Sequence, residues 1–379
     1  MSNRQFLRRA GIAAAAGAFA AAIIGAAQAA DVQIYGVVDM GLSLSRASGN
    51  GPTAKDGDWS ASMNSGMRNS SRVGLRGKED LGNGYAVSFV LENQFKADDG
   101  TFQTAGTMWE REASVAVSGP FGKLTMGRLG VLKGPVGSTA LGTTNNVDPF
   151  GNSMHSFVAG HKTMTSGNYF PVNNSVVYAT PNFAGLELFF QYSFGSDQDG
   201  GTLDSNDRYM SAAARYTRGP FKATFFYDTI DKANSSARNK QPMTYTAAVN
   251  YDFGFVKPYL FVSYFHEGAL NSVGADGDAR YMTAAGSYNG AGGVFVLQAP
   301  MGPGKAKIGV GYMDAELADD SLAKNDVTRT SIAVGYDWKI TKTFDFYADL
   351  GYVQQKTETE SSSNTLRGTE ILAGVVKFF

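Results

Sequence analysis

Cysteine is absent from this chain of 379 residues. That excludes a disulfide framework, a thiolate metal site and a lipid-modified N-terminal cysteine. Histidine is nearly absent too, with only His155, His161 and His266. No H-E-x-x-H or G-x-S-x-G pattern surrounds them, and no phosphate-binding loop is present. The sequence therefore implies no enzyme, no cofactor and no metal centre. Proline is scarce, at 11 residues. Net charge is low, −1 for the whole chain. The first 30 residues carry Arg4, Arg8 and Arg9 and no acid, so without them the chain holds 30 basic against 34 acidic residues, or −4. Nothing in that balance favours nucleic acid. Long apolar runs are missing beyond residue 30. If the rest of the chain crosses a membrane, it does so as a closed barrel, since a bilayer core tolerates only internally satisfied backbones.

What is present points outward from the cytoplasm. Residues 1–9 carry three arginines, Ala10 to Ala27 is small and apolar, and Ala27-Gln28-Ala29 follows. That order predicts a secretory signal peptide over 1–29, cut after Ala29, with residues 30–379 as one mature domain. Ser2 to Arg8 is similar to a twin-arginine motif with Asn3 in place of one arginine. A barrel crosses the inner membrane unfolded, which the Sec route requires and the twin-arginine route does not.

Glycine reaches 46 residues and aromatics 12%. Both suit strands, tight turns and interface girdles. Apolar residues alternate with polar ones. Leu186, Leu188, Phe190, Tyr192 and Phe194 share one face; Glu187, Gln191 and Ser193 share the other. Phe221, Ala223, Phe225 and Tyr227 oppose Lys222, Thr224 and Asp228. Short glycine-bearing turns such as Gly82-Asn83-Gly84 and Arg218-Gly219-Pro220 alternate with long polar connections, roughly 46–69, 97–106, 130–172, 195–206, 232–242, 268–278, 316–325 and 357–365. Short turns at one rim and long loops at the other are the pattern of a transmembrane barrel. The expected fold is all-β, an antiparallel barrel of about sixteen strands, wide enough for an aqueous channel. A strand is expected at 107–118, another at 280–289, and two or three over 280–315.

Five stretches resemble the general porins of Gram-negative bacteria, in particular the beta-proteobacterial type. They are Val32 to Asp39, Ser71 to Gly82, Gly119-Pro120-Phe121-Gly122 with Met126-Gly127-Arg128, Asn173 to Tyr178 with Pro181 to Gly185, and the terminal Phe379. The resemblance implies an outer-membrane homotrimer passing small hydrophilic solutes by passive diffusion. It implies that Phe379 addresses the chain to the barrel assembly machinery. It also implies that the long connection, here about 130–172, folds inward and constricts the pore.

Members of that family set basic wall residues against acids on the inward loop. Arg72, Arg76 and Lys78 share one strand face, and the resemblance places Arg72 and Arg111 on the wall. Periodicity disagrees for Arg111, which would share an outward face with Trp109 and Val115. Taking Arg111 as inward sends Glu112 and Ser114 towards lipid or a neighbouring subunit. Arg128 stands where the inward loop begins and could close the ladder. Asp148 is the only acid in 130–172, against Lys133 and Lys162. The expected constriction set is Arg72, Arg76, Arg111, Arg128, Lys133 and Asp148. Pro171, Val177 and Ala179 stand where many members carry basic residues. A weak anion preference follows. Asp98-Asp99 and Asp319-Asp320 are candidates to share a divalent cation with lipopolysaccharide phosphates. Two other readings stay open at this point. One is a substrate-specific channel with an aromatic track, for which Phe189, Phe226 and Tyr347 are scattered candidates. The other is an adhesin or structural barrel with a plugged lumen.

Overall fold

The structure is a computed structural model that describes residues 31–50, 57–143, 146–150, 157–158, 160–196, 205–233, 241–274, 282, 284–319 and 324–379. The signal peptide expected over 1–29, His155 and Asp320 lie outside the described residues.

One antiparallel sheet closes on itself. Its segments are β1 (Asp31–Gly49), β2 (Ser60–Ser65), β3 (Arg72–Gly82), β4 (Tyr85–Gln94), β5 (Glu112–Gly119) and β6 (Gly122–Leu129). Then come β7 (Val172–Ala179), β8 (Leu186–Ser193), β9 (Arg208–Arg218), β10 (Phe221–Asp231), β11 (Met243–Tyr251) and β12 (Lys257–Gly268). The last five are β13 (Tyr288–Met301), β14 (Gly304–Leu317), β15 (Asn325–Thr341), β16 (Phe344–Thr359) and β17 (Ser363–Phe378). β3 pairs the first part of β1, and β2 pairs β1 at Met40–Ser45, so the two occupy one position interrupted at 66–71. The barrel thus has sixteen strand positions, closed by β1 against β17. Phe379 extends that seam by exchanging backbone hydrogen bonds with Gly36, at 3.0 and 3.1 Å.

Three expected boundaries differ. The strand expected at 107–118 begins only at Glu112. The stretch 280–315 holds two strands, β13 and β14; the one expected at 280–289 reduces to a bridge at Met282 and the first residues of β13. Residues 60–65, expected inside a loop, form β2. Alternation exposes apolar side chains outward, as with Leu260, Val262 and Tyr264 on β12 and Val310 and Tyr312 on β14. Their neighbours along each strand point into the lumen. An outward apolar face on a closed sheet with no free edge satisfies both demands of a bilayer.

A hydrophobic core lies inside the barrel. Val147, Phe150, Phe157, Val158 and Met164, all from the connection 130–171, pack on inward residues of β11 to β17, including Phe261, Val296, Met313 and Val353. Glycines on that wall let the connection come close. A Cβ at Gly351 would stand 2.5 Å from Val158 Cα, and one at Gly292 would stand 2.1 Å from the Met164 carbonyl oxygen. The same connection touches β8 through Gln191 and β17 through Glu370, so it runs across the lumen.

Candidate pore lining

Register decides which side chains share the lumen. Tyr35 on β1, Gly74 on β3 and Glu92 on β4 lie side by side. Arg72 and Gln94 form the next inward pair. Glu92 is the centre of this patch. It accepts from Arg111 Nε at 2.6 Å and from the Tyr35 hydroxyl at 2.9 Å, and it ion-pairs Arg72 at 3.4 Å. Arg111 also donates to Gln94 at 2.8 Å. Arg72 and Arg111 therefore meet on one carboxylate. Arg76 stands further along the same face, donating to Gln33 and stacked 4.9 Å from the Tyr35 ring centroid.

Arg111 reaches the lumen because it precedes β5 and is free of the strand's alternation. Glu112 is then inward as well, which corrects the expectation that it faces lipid or a neighbouring subunit. Its carboxylate accepts from the Ser138 amide and hydroxyl, both at 2.6 Å. Sequence alternation missed Glu92 as a shared partner, because pairing across strands depends on register.

Arg128 does not join this patch. It pairs with Ala113, next to the exposed pair Val115 and Met126, on the outward face. It donates to the Glu110 carbonyl at 2.6 Å and to Asn173 at 2.5 Å, so it closes a strand end rather than the ladder.

Lys133 and Asp148 are buried, which corrects their expected role as lumen charges. Lys133 Nζ is 2.9 Å from Asp228 on β10, 2.7 Å from Thr244 Oγ1 on β11 and 3.2 Å from the Ser166 carbonyl. Burial lowers the affinity of that ammonium for its proton, and Asp228 acts against the shift. Asp148 bonds within its own segment. It accepts from the Phe150 amide at 2.8 Å, the His161 amide at 3.0 Å and the His161 ring. Burial alone would raise its carboxyl, but these donors outweigh burial and hold it below the usual carboxylate range. His161 is shifted down by burial, and its Nε2 has no partner among the described residues. A neutral ring donating from Nδ1 satisfies both observations. Two wall cations complete the attachment. Lys307 on β14 reaches the Pro149 carbonyl at 3.2 Å, and Arg329 on β15 reaches the Thr163 carbonyl at 2.9 Å.

Lys162 makes this attachment sensitive to pH. Burial pushes its ammonium down to about 7; nearby Asp148 raises it and Arg111 lowers it further. In a released segment the same amine would titrate near its ordinary 10.5. Between those values the docked form binds fewer protons than the released form. Docking therefore weakens as pH falls from about 10 to about 7 and stays at its weakest below that. Open-channel noise in planar bilayers is expected to rise as pH falls from about 10 to about 7, and Lys162→Met to flatten the trend. Noise that is independent of pH in the unsubstituted protein would contradict this account.

Phe189, Phe226 and Tyr347 all point inward but are buried. Phe189 and Phe226 pack with Leu132 and Leu141 of the connection, and Tyr347 donates to Asp39 at 2.7 Å. They present no aromatic track to a solute. Val177 is likewise buried, in the same cluster as Leu132.

Comparison with known proteins agrees with this architecture. The chain matches the Gram-negative porin family over residues 10–358. It is 27% identical to an outer membrane porin protein of Bordetella pertussis, covering 94% of this chain and 97% of that one. It is 28% identical to outer membrane porin protein 32 of Delftia acidovorans, over 93% of this chain and 92% of that one. Among solved structures it superposes on an anion-selective porin from Comamonas acidovorans with a TM-score of 0.67 at 22% identity, covering 93% of this chain and all of the other, 100%. It superposes on a trimer form of the outer membrane protein OmpT of Vibrio cholerae with a TM-score of 0.60 at 14% identity, covering 93% and 100%. With its closed barrel, its outward apolar face and a family match along most of its length, this chain belongs to the Gram-negative porins, the channel-forming proteins of the outer membrane.

Proposed function

We propose that this porin is a general diffusion pore with a weak preference for anions, that it works as a homotrimer, and that segment 130–171 narrows it. One observation carries the preference. Several inward carboxylates are engaged by cations: Glu92 by Arg72 and Arg111, Glu187 by Arg215, Asp228 by Lys133, and Asp337 and Asp349 by Lys307. Arg76, Lys123, Lys222 and Lys257 share inward register positions, and none has a carboxylate within ion-pair distance among the described residues. Unpaired cations on a water-lined wall raise the local concentration of anions. The Comamonas neighbour, described as anion-selective, supports the same sign.

The trimer form of the Vibrio neighbour supports the homotrimer. Lipid and lipopolysaccharide are the surroundings that the outward apolar face fits. The exposed ring of Phe379, at the end of the closing seam, is the handle we assign to the barrel assembly machinery.

Single-channel recording across a potassium chloride gradient tests the reading. Steps in groups of three and a reversal potential of the anion-selective sign are expected. Arg76→Glu combined with Lys123→Glu is expected to move the permeability ratio towards cations by roughly two- to fivefold, most at low salt where screening is weakest. A cation-selective reversal potential in the unsubstituted protein would sink the anion preference.

A further inference from the structure

One lumen cavity stands apart from the Glu92 patch. It lies at the short-turn end of β8, β9 and β10, the periplasmic rim by turn length. Its volume is about 570 Å³. The charged side chains around it are Arg215, Arg218, Lys222 and Glu187. Asn146, near the tip of the inward segment, forms its inner wall and is held there by Asn250, which donates to the Asn146 carbonyl at 2.9 Å.

We propose that this cavity is a binding site for small polyvalent oxyanions, of the phosphate or polycarboxylate class. The proposal rests on the pore reading above, since the cavity opens on the lumen. Three cations and one carboxylate line it, an excess of two positive charges; Arg215 and Lys222 stand at inward register positions, and Arg218, in register with the outward Phe221, stands at the rim. Arg215 is aimed rather than floppy. It donates from Nε at 3.2 Å and from Nη2 at 2.8 Å to the same Glu187 oxygen, and its guanidinium lies 5.1 Å from the Phe189 ring centroid. Its Nη1 group makes no bond among the described residues and remains available to an acceptor. Lys222 pairs in register with Thr217, two residues along β9 from Arg215 on the same inward face. Arg218 closes the turn itself, before Gly219, which has a positive φ of 56° and open space around it. No carboxylate pairs with Arg218 or Lys222 among the described residues.

That arrangement discriminates by valence. In a wet vestibule a single charge contact at about 4 Å changes occupancy only roughly fivefold. Chloride, with one contact, is barely retained. A multivalent oxyanion can reach two or three of the cations at once and gains that factor at each. Guanidinium groups also present paired donors that match oxyanion geometry.

Pyrophosphate block of potassium chloride current in a planar bilayer tests the site. Pyrophosphate added on the short-turn side is expected to reduce the current at concentrations where chloride alone passes freely. Lys222→Gln combined with Arg218→Gln is expected to weaken that block about tenfold or more. Lys305→Gln, on the distant β14, serves as the comparison. A block that survives the double substitution overturns the site. So does a block that Lys305→Gln weakens equally, because the effect would then belong to the field of the whole vestibule. The open-channel current in the same recording reports the pore itself, so a failed site and a failed pore are distinguishable.

Discussion

Lys133→Met is expected to loosen segment 130–171 and to give the largest functional change of any single charge removal in the lumen. The ammonium is buried between Asp228, Thr244 and the Ser166 carbonyl. Methionine fills a similar volume but leaves the Asp228 carboxylate in a closed seam with Thr244 as its remaining partner, at a cost of about 3–5 kcal/mol. The barrel ladder has its own hydrogen bonds and keeps its shape. The loss therefore falls on docking of the segment. Single-channel recordings should show larger mean conductance and frequent flicker between levels. Protease added to the folded protein should cut within 130–171 faster than in the parent. Adding Asp228→Asn to Lys133→Met removes the orphaned charge and should restore much of the quiet open state. If the double variant flickers as much as the single one, the unpaired carboxylate is not the cause.

Arg329→Ala is expected to be nearly as severe, by a different route. Arg329 is fully buried on β15. It has no carboxylate partner among the described residues; it donates to Gln355 at 2.8 Å and to the carbonyls of Thr163, Asn271 and Met282 at 2.9, 2.6 and 3.3 Å. Those carbonyls belong to two different connections, 130–171 and 269–287. One guanidinium thus ties both to the wall. Alanine leaves the carbonyls without their donor and opens a cavity, together about 3–5 kcal/mol. Lysine would keep the charge but lacks the planar fork that reaches several acceptors, so it should rescue only in part. The measurement is the thermal midpoint of the heat-modifiable band, paired with protease sensitivity of both connections. An unchanged midpoint with both connections still protected would show that Arg329 is dispensable for docking.

These two residues separate what was legible from what was not. Lys133 could be placed in the inward segment from sequence, and its charge was visible. That it is spent on Asp228 was not, because the two are 95 positions apart and meet only when the segment folds back. Arg329 raised no signal at all. It sits on an ordinary alternating strand, and no pattern distinguishes a cation facing water from one covered by a loop. Arg128 failed for a related reason. It keeps the outward alternation of Met126 on β6, and a motif does not say which face its residues take. Arg111 reached the wall because β5 starts one residue after it, a boundary that alternation blurs.

The amino-acid sequence by itself determined the strand alternation, the sorting of short turns from long connections, and so the closed barrel with an apolar outside. Those properties are local: side chains alternate every two residues, and turn chemistry is written in a few adjacent glycines and prolines. It also separated inward from outward residues on most strands. Only the tertiary structure decided which inward residues meet water and which meet segment 130–171. That choice rests on the glycine-lined wall at Gly292 and Gly351, on Glu92 gathering two arginines, and on buried pairs such as Lys133 with Asp228. Each depends on contacts between positions far apart in the chain, and the burial that neutralises a charge exists only once the barrel has closed around it.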